Sequence, residues 1–161
     1  MVKVLVKRLN SKVNLPEYKT SGSSGMDLMA FIDSPIKIAP NTLELVPTGL
    51  SIAIPEDLEI QIRPRSGLAA KSSISILNTP GTIDSDYRGE LKIILFNHGN
   101  KNFIVNNNDR VAQMVLTPVI KMELKEVDLL PKTIRGSGGF GSTGKWKILL
   151  IKNLLRDILD K

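Results

Sequence analysis

The sequence predicts an all-β fold, a barrel-like sandwich of short strands in the manner of a distorted jelly roll. Two observations carry this. Short apolar runs rich in Ile, Val and Leu recur along the chain, with turn residues between them about every eight to twelve positions. No helical period of useful length appears before residue 145, apart from a short turn around Gly67 to Lys71.

The elements follow in order. At the start Val2, Val4 and Val6 alternate with Lys3, Leu5 and Lys7, the period of a strand. Strand runs then come at 36–38, 43–46, 50–54, 58–62, 73–77, 91–97, 103–105 and 111–119. The breaks between them are Pro40-Asn41, Pro47, Pro55-Glu56-Asp57, Asn97 to Asn102 and Asn106 to Asp109. Each supplies residues that favour turns or cannot continue a ladder. After Pro131 the chain changes character: residues 135–144 hold five glycines in ten positions. Such a segment buries too little surface to offset its ordering entropy, so it is expected to be a mobile arm. Beyond it Leu150, Ile151, Leu154, Leu155, Ile158 and Leu159 form an i, i+4 stripe, which predicts a short amphipathic helix. The expected division is an all-β domain over 1–134, the arm over 135–144 and the amphipathic extension over 145–161.

Composition narrows the chemistry. The 161 residues have the length of one domain, able to bury about 70% of the surface of the unfolded chain. There is no cysteine, which removes disulfides and thiolate metal sites, and the lone His98 cannot build a histidine-rich cluster. A metal that takes part is held by oxygen ligands and substrate phosphates, which favours Mg²⁺. The formal charge of +6 is uneven: residues 145–161 hold five basic and two acidic residues, a net of +3, so the rest is only mildly basic. Without a Lys/Arg run or aromatic platforms, a nucleic-acid groove is not expected, and a small polyanion in a local pocket is. Met1 to Lys7 lacks the apolar core of a signal peptide and no apolar run approaches a membrane span. A cytoplasmic protein with no membrane attachment is expected.

Two glycine motifs mislead. Gly136-x-Gly138-x-x-Gly141 imitates a dinucleotide fingerprint, and Gly139-x-x-x-x-Gly144-Lys145 imitates a P-loop. Both motifs need a buried strand just before them, and here Pro131-Lys132-Thr133-Ile134-Arg135 stands there. The P-loop also needs Ser or Thr after its lysine, where this chain has Trp146.

The chemistry-bearing residues lie in five ordered blocks: SGMDLMA (24–30), RPRSGLAAK (63–71), NTPGTIDSDYRGE (78–90), NDRVAQMV (108–115) and RGSGGFGSTG (135–144). The third is the most informative, since a turn needs only Gly, Asn or Asp for backbone reasons. This one adds a candidate general base (Asp84), a flat ring (Tyr87) and a cation (Arg88). In the second block a guanidinium, a hydroxyl and a run of backbone N–H groups suit phosphate oxygens. In the fourth, Gln113 lies within an apolar run, where an amide must find a partner. Together the blocks resemble the homotrimeric deoxyuridine triphosphatase (dUTPase) family, in order and spacing, over nearly all of residues 1–144. Seventeen residues follow the glycine block, which in that family usually lies at or near the C-terminus.

The resemblance implies cleavage of dUTP to dUMP and pyrophosphate by water attack at the α-phosphorus, which keeps uracil out of DNA and supplies dUMP for thymidylate synthesis. It implies Asp84 as the carboxylate that orients and deprotonates the water, with Asp27 as a supporting carboxylate. Asn78 and the main chain of Gly81 to Ile83 would read uracil, and the Tyr87 ring would lie beneath deoxyribose and leave no room for a 2′-hydroxyl. Arg65, Ser66 and Gly67 would cradle the α- and β-phosphates, with Gln113 a further phosphate contact. In the arm, Arg135 and Ser142-Thr143-Gly144 would bind the γ-phosphate, with Phe140 over the uracil face. Mg²⁺ held mainly by phosphates and water is implied, as is a homotrimer with sites shared between subunits. Two alternatives are weighed: a dCTP deaminase of the same fold, and a sensor that binds dUTP without turning it over. The deaminase needs a glutamate in the strand after the third block; residues 91–95 offer none, with Glu90 only at the edge.

Overall fold

The structure, a computed structural model, describes residues 2–139. Among these, the residues up to Lys121 form one compact unit and those from Met122 to Gly139 belong to a second. The expected helix over 145–161 and the arm residues Phe140, Ser142, Thr143 and Gly144 lie outside the described residues.

The first unit contains ten strands and one short helix among the described residues. The strands are β1 (Leu5–Arg8), β2 (Met26–Met29), β3 (Ile36–Ile38), β4 (Leu43–Ala53), β5 (Leu58–Arg63), β6 (Ile74–Ile76), β7 (Gly81–Ile83), β8 (Glu90–Asn97), β9 (Phe103–Val105) and β10 (Arg110–Pro118), and the helix is α1 (Ser66–Ser72). One sheet has the order β1-β4-β8-β6, a second β2-β10-β5-β7, and β3 pairs with β9 alone. All pairings are antiparallel. The architecture is the predicted all-β jelly-roll type.

Alternation puts one face of each central strand inward. Along β8, Leu91, Ile93 and Leu95 are buried while Lys92 is exposed. They meet Val46, Leu50 and Ile52 of β4, Ile60 and Ile62 of β5, and Leu28 of β2 in one apolar core. A buried Leu or Ile stabilises by about 1.5–3 kcal/mol relative to exposure, so this layer is the main source of cohesion. Asn97 is the polar exception, fully buried at the end of β8. Its amide donates to the carbonyls of Ile38 (2.9 Å) and Lys101 (2.8 Å) and its Oδ1 accepts from Gly99 N–H (2.9 Å), so it ties the end of β3 to the turn between β8 and β9. Replacing Asn97 by Leu is expected to lower stability in urea denaturation by about 3 kcal/mol, because several backbone groups lose their partner in a dry site.

Four elements differ from expectation. The strand expected from residue 2 begins at Leu5, and all four residues of β1 are exposed. The two strands expected at 43–46 and 50–54 are one strand, β4, which pairs with β8 on both sides of an irregularity between Pro47 and Ser51. Gly49 absorbs that irregularity with φ of 67°, and a Cβ there would approach Val13 Cγ2 to 2.5 Å, so both backbone and space require glycine. The turn expected near Gly67 is a full short helix, closed by Ser73 in the left-handed region with its N–H on the Ala69 and Leu68 carbonyls. Finally, residues 81–90, expected as a turn, include the strand β7. The runs on either side pair directly, Ile74 with Asn97 and Ile76 with Leu95, and the segment between them leaves that sheet so that β7 can pair with β5 of the other.

In the second unit the described residues make no strand or helix. Its turn at 133–138 is hydrogen-bonded: Gly136 N–H donates to Thr133, and Arg135 Nε donates to the Gly138 carbonyl at 2.8 Å.

Candidate active site

Antiparallel register assembles the first cluster. Gln113 of β10 stands opposite Asp27 of β2 on one side and Arg63 of β5 on the other. The chain then turns at Pro64 into α1, whose first residue follows Arg65. Arg65 reaches back across the sheet: its Nε donates to Asp27 Oδ1 at 2.9 Å and its Nη1 to the Arg110 carbonyl at 3.1 Å. Arg110 Nη1 donates to the other Asp27 oxygen at 3.3 Å. Both oxygens of Asp27 are therefore engaged, in a half-buried site where charge-assisted bonds weigh more than at an open surface.

Gln113 is half-buried rather than buried, and its amide N–H donates to the Pro64 carbonyl at 3.0 Å. Its Oε1 faces Gly25, where an added Cβ would meet it at 3.1 Å and Met114 O at 3.0 Å. A cavity of about 400 Å³ opens here beside Lys19, Ser23, Ser24 and Asp27. At the start of α1 no side chain caps the helix, and Ser66 and Gly67 are exposed. Their N–H groups lack an intrahelical partner, as in any first helical turn, and can meet an anion.

The second cluster lies on β7 and the loop after it. Gly81 packs so closely that a Cβ would meet Asn78 Nδ2 at 3.2 Å, which holds the Asn78 amide against the strand start. Gly81 pairs with Ile62, and Ile83 with Ile60. The loop then turns on a Tyr87 N–H to Asp84 carbonyl bond of 3.2 Å. The Tyr87 hydroxyl donates to the Glu90 carbonyl at 3.0 Å, so the ring folds over Gly89, where a Cβ would stand 2.3 Å from the hydroxyl oxygen. Asp84 is exposed on a cleft of about 600 Å³ shared with Glu59, Ser85 and Arg88. Its carboxylate has no hydrogen-bond or ion-pair partner among the described residues.

The two clusters stand apart within one chain. Asp27 and Asp84 are separated by three strand spacings across the sheet and about four residues along it, roughly 20 Å at ordinary strand dimensions. Arg65, Asp27 and Gln113 are thus brought together; Asn78 lies against Gly81, and Asp84 and Tyr87 share one turn, but these two groups are not joined to the first. Arg135 belongs to the second unit. Arg110 and the Pro64 carbonyl were not expected as parts of the site. The NDRVAQ block held the only signal for Arg110, as a loop charge beside Asp109. Elsewhere, on an exposed loop, the hydrogen bond and charge of Lys19 hold the Glu17 carboxyl below the usual carboxylate range.

A family model described as dUTPase matches residues 11–144 of the chain. The chain belongs to the dUTPase family. All five blocks fall inside the matched range. Among curated relatives, a deoxyuridine 5′-triphosphate nucleotidohydrolase of Maricaulis maris is 54% identical over 132 residues, 81% of this chain and 87% of that protein. One from Rickettsia prowazekii is 50% identical over 145 residues, 89% of this chain and 98% of that protein. Among solved structures, a mutant dUTPase of phage 80α superposes with a TM-score of 0.78 at 24% identity, covering 87% of this chain and 98% of that one. A mutant dUTPase of phage φ11 of S. aureus, whose structure reveals the coordination of a structural Mg(II) ion, gives a TM-score of 0.73 at 22% identity, over 81% of this chain and 100% of that one. At these identities the two phage structures speak for the dUTPase fold alone.

Proposed function

We propose that this chain hydrolyses dUTP to dUMP and pyrophosphate, by attack of water at the α-phosphorus. The observation that carries the reading is the Asp84 carboxylate, exposed on a cleft of about 600 Å³ directly after β7, with no partner of its own among the described residues. Such a carboxylate can accept a hydrogen bond from water and take its proton. Asn78 and the backbone of Gly81 to Ile83 read uracil, and Tyr87 packs beneath the deoxyribose. Arg65, Ser66, Gly67 and Gln113 receive the phosphates.

Asp27 acts by holding Arg65 and Arg110 toward those phosphates, since both its oxygens are already engaged. Positioning and charge neutralisation are what phosphoryl chemistry most requires. Mg²⁺ fits as a companion of the substrate. No group of three or more His, Cys, Asp or Glu side chains is placed to hold a metal among the described residues, so phosphate oxygens and water would supply most ligands. When bound it would neutralise charge on the phosphates.

The roughly 20 Å between Asp27 and Asp84 supports a homotrimer in which one subunit's 78–87 segment completes the phosphate cradle of another. The glycine arm keeps the closing role that the resemblance implies for Arg135, Phe140, Ser142, Thr143 and Gly144. A cytoplasmic location is part of the proposal, in keeping with a nucleotide substrate. Glu90 argues against the deaminase, because its carboxylate is taken by Gly49 N–H at 2.8 Å.

Parallel assays with dUTP, dTTP, dCTP and UTP test the reading. Pyrophosphate is expected from dUTP, with far less from the other three. Ammonia from dCTP, or binding without product, would overturn it.

A further inference from the structure

Between Pro47 and Ser51 the β4–β8 ladder breaks, and side chains replace the missing backbone bonds. Thr48, buried, donates its hydroxyl to the Leu91 carbonyl at 2.7 Å. Gly49 N–H donates to Glu90 Oε1 at 2.8 Å. Ser51, also buried, donates its hydroxyl to the Arg88 carbonyl at 2.7 Å. All three bonds land on residues 88–91, the stem from which the loop bearing Tyr87 leaves β8.

Tyr87 is tied to the same stem. Its hydroxyl donates to the Glu90 carbonyl, and its ring lies against Gly89, between the two residues that β4 clamps. The loop itself offers little other restraint: residues 86–89 are all exposed, and Arg88 folds its guanidinium back onto the carbonyls of Ser85 and Tyr87. An exposed ring at a loop base is held in place only as well as the carbonyls beside it.

We infer that Ser51 and Glu90 are positioning residues for substrate selection, fixing the Tyr87 ring at the height that leaves space for deoxyribose but not for a 2′-hydroxyl. This inference rests on the proposed dUTP hydrolysis and deepens it. Neither side chain touches substrate; each acts through Tyr87. Discrimination against a single hydroxyl depends on a wall that does not yield, so loosening the wall admits the larger sugar with modest harm to the smaller one.

The test measures kcat/KM for dUTP and for UTP in the full chain and in Ser51→Ala, Glu90→Ala and Glu90→Gln. Ser51→Ala and Glu90→Ala are each expected to lower the dUTP-to-UTP preference about five- to tenfold, mostly through a rise with UTP, as befits one or two hydrogen bonds. Glu90→Gln keeps an acceptor for Gly49 N–H and is expected to retain the preference. In parallel, the ¹³C-labelled tyrosine ring signals of Tyr87 are expected to shift and broaden in the two alanine variants. Equal losses for both sugars, with Tyr87 signals unmoved, would mean only a structural role and would overturn the inference. If Ser51→Ala fails to fold, the half-exposed Glu90 position supplies the same comparison. An unmodified chain that hydrolyses dUTP and UTP alike would overturn the functional reading and this inference together; normal preference in that chain with unchanged preference in the variants overturns the inference alone.

Discussion

Replacing Asp84 by Asn is expected to cut the turnover number for dUTP by about 10²- to 10⁴-fold, the usual contribution of a positioned general base. Asn keeps the shape and can still hold a water, but it cannot take the proton. Nucleotide affinity is expected to stay within a few-fold, because the uracil, sugar and phosphate contacts are proposed for other residues. Single-turnover kinetics and equilibrium binding of a non-hydrolysable analogue separate the two effects. The fold is expected to be unharmed, since Asp84 is exposed and unpartnered among the described residues. Loss of binding in step with loss of turnover would assign Asp84 to holding substrate instead.

The second large effect is expected at Asp27. Its removal in Asp27→Ala leaves the guanidiniums of Arg65 and Arg110 side by side with no shared anion. Hydrogen bonds to charged groups are worth about 1.5–3 kcal/mol, which predicts a loss of about 10- to 150-fold in kcat/KM. The loss is expected mainly in KM, because the disordered group is the proposed phosphate cradle rather than the base. The Mg²⁺ concentration for half-maximal activity is expected to change little. A steep rise in that concentration, with KM for dUTP unchanged, would make Asp27 a metal-side carboxylate and refute the positioning role.

These expectations differ in how readily the sequence disclosed them. The inward face of β8 was plain, because Leu91, Ile93 and Leu95 alternate with residues that need not be buried. The reading of β4 as two strands failed because Pro47 and Gly49 carry the local marks of a turn. What keeps the strand continuous is a set of bonds to Arg88, Glu90 and Leu91, about forty residues away and invisible to any local pattern. β7 escaped notice for a related reason: three residues have no period, and only pairing with β5 makes them a strand. Seven residues were likewise too few for α1 to show an apolar stripe.

The site divides in the same way. Asp84, Tyr87, Arg65 and Gln113 sit in compact blocks whose residue types suggest the chemistry proposed for them. The bond between Arg110 and Asp27 spans 83 positions and depends on β2 lying beside β10. It recast Asp27 from an independent carboxylate into the hub of two arginines, a role that composition and spacing do not encode.

Hydrolysis of dUTP in ¹⁸O-labelled water, followed by mass analysis of both products, addresses the reaction itself. If Asp84 directs water to the α-phosphorus, a single label is expected in dUMP and none in pyrophosphate. Label recovered in pyrophosphate would place the attack on the β-phosphorus and contradict the proposed chemistry.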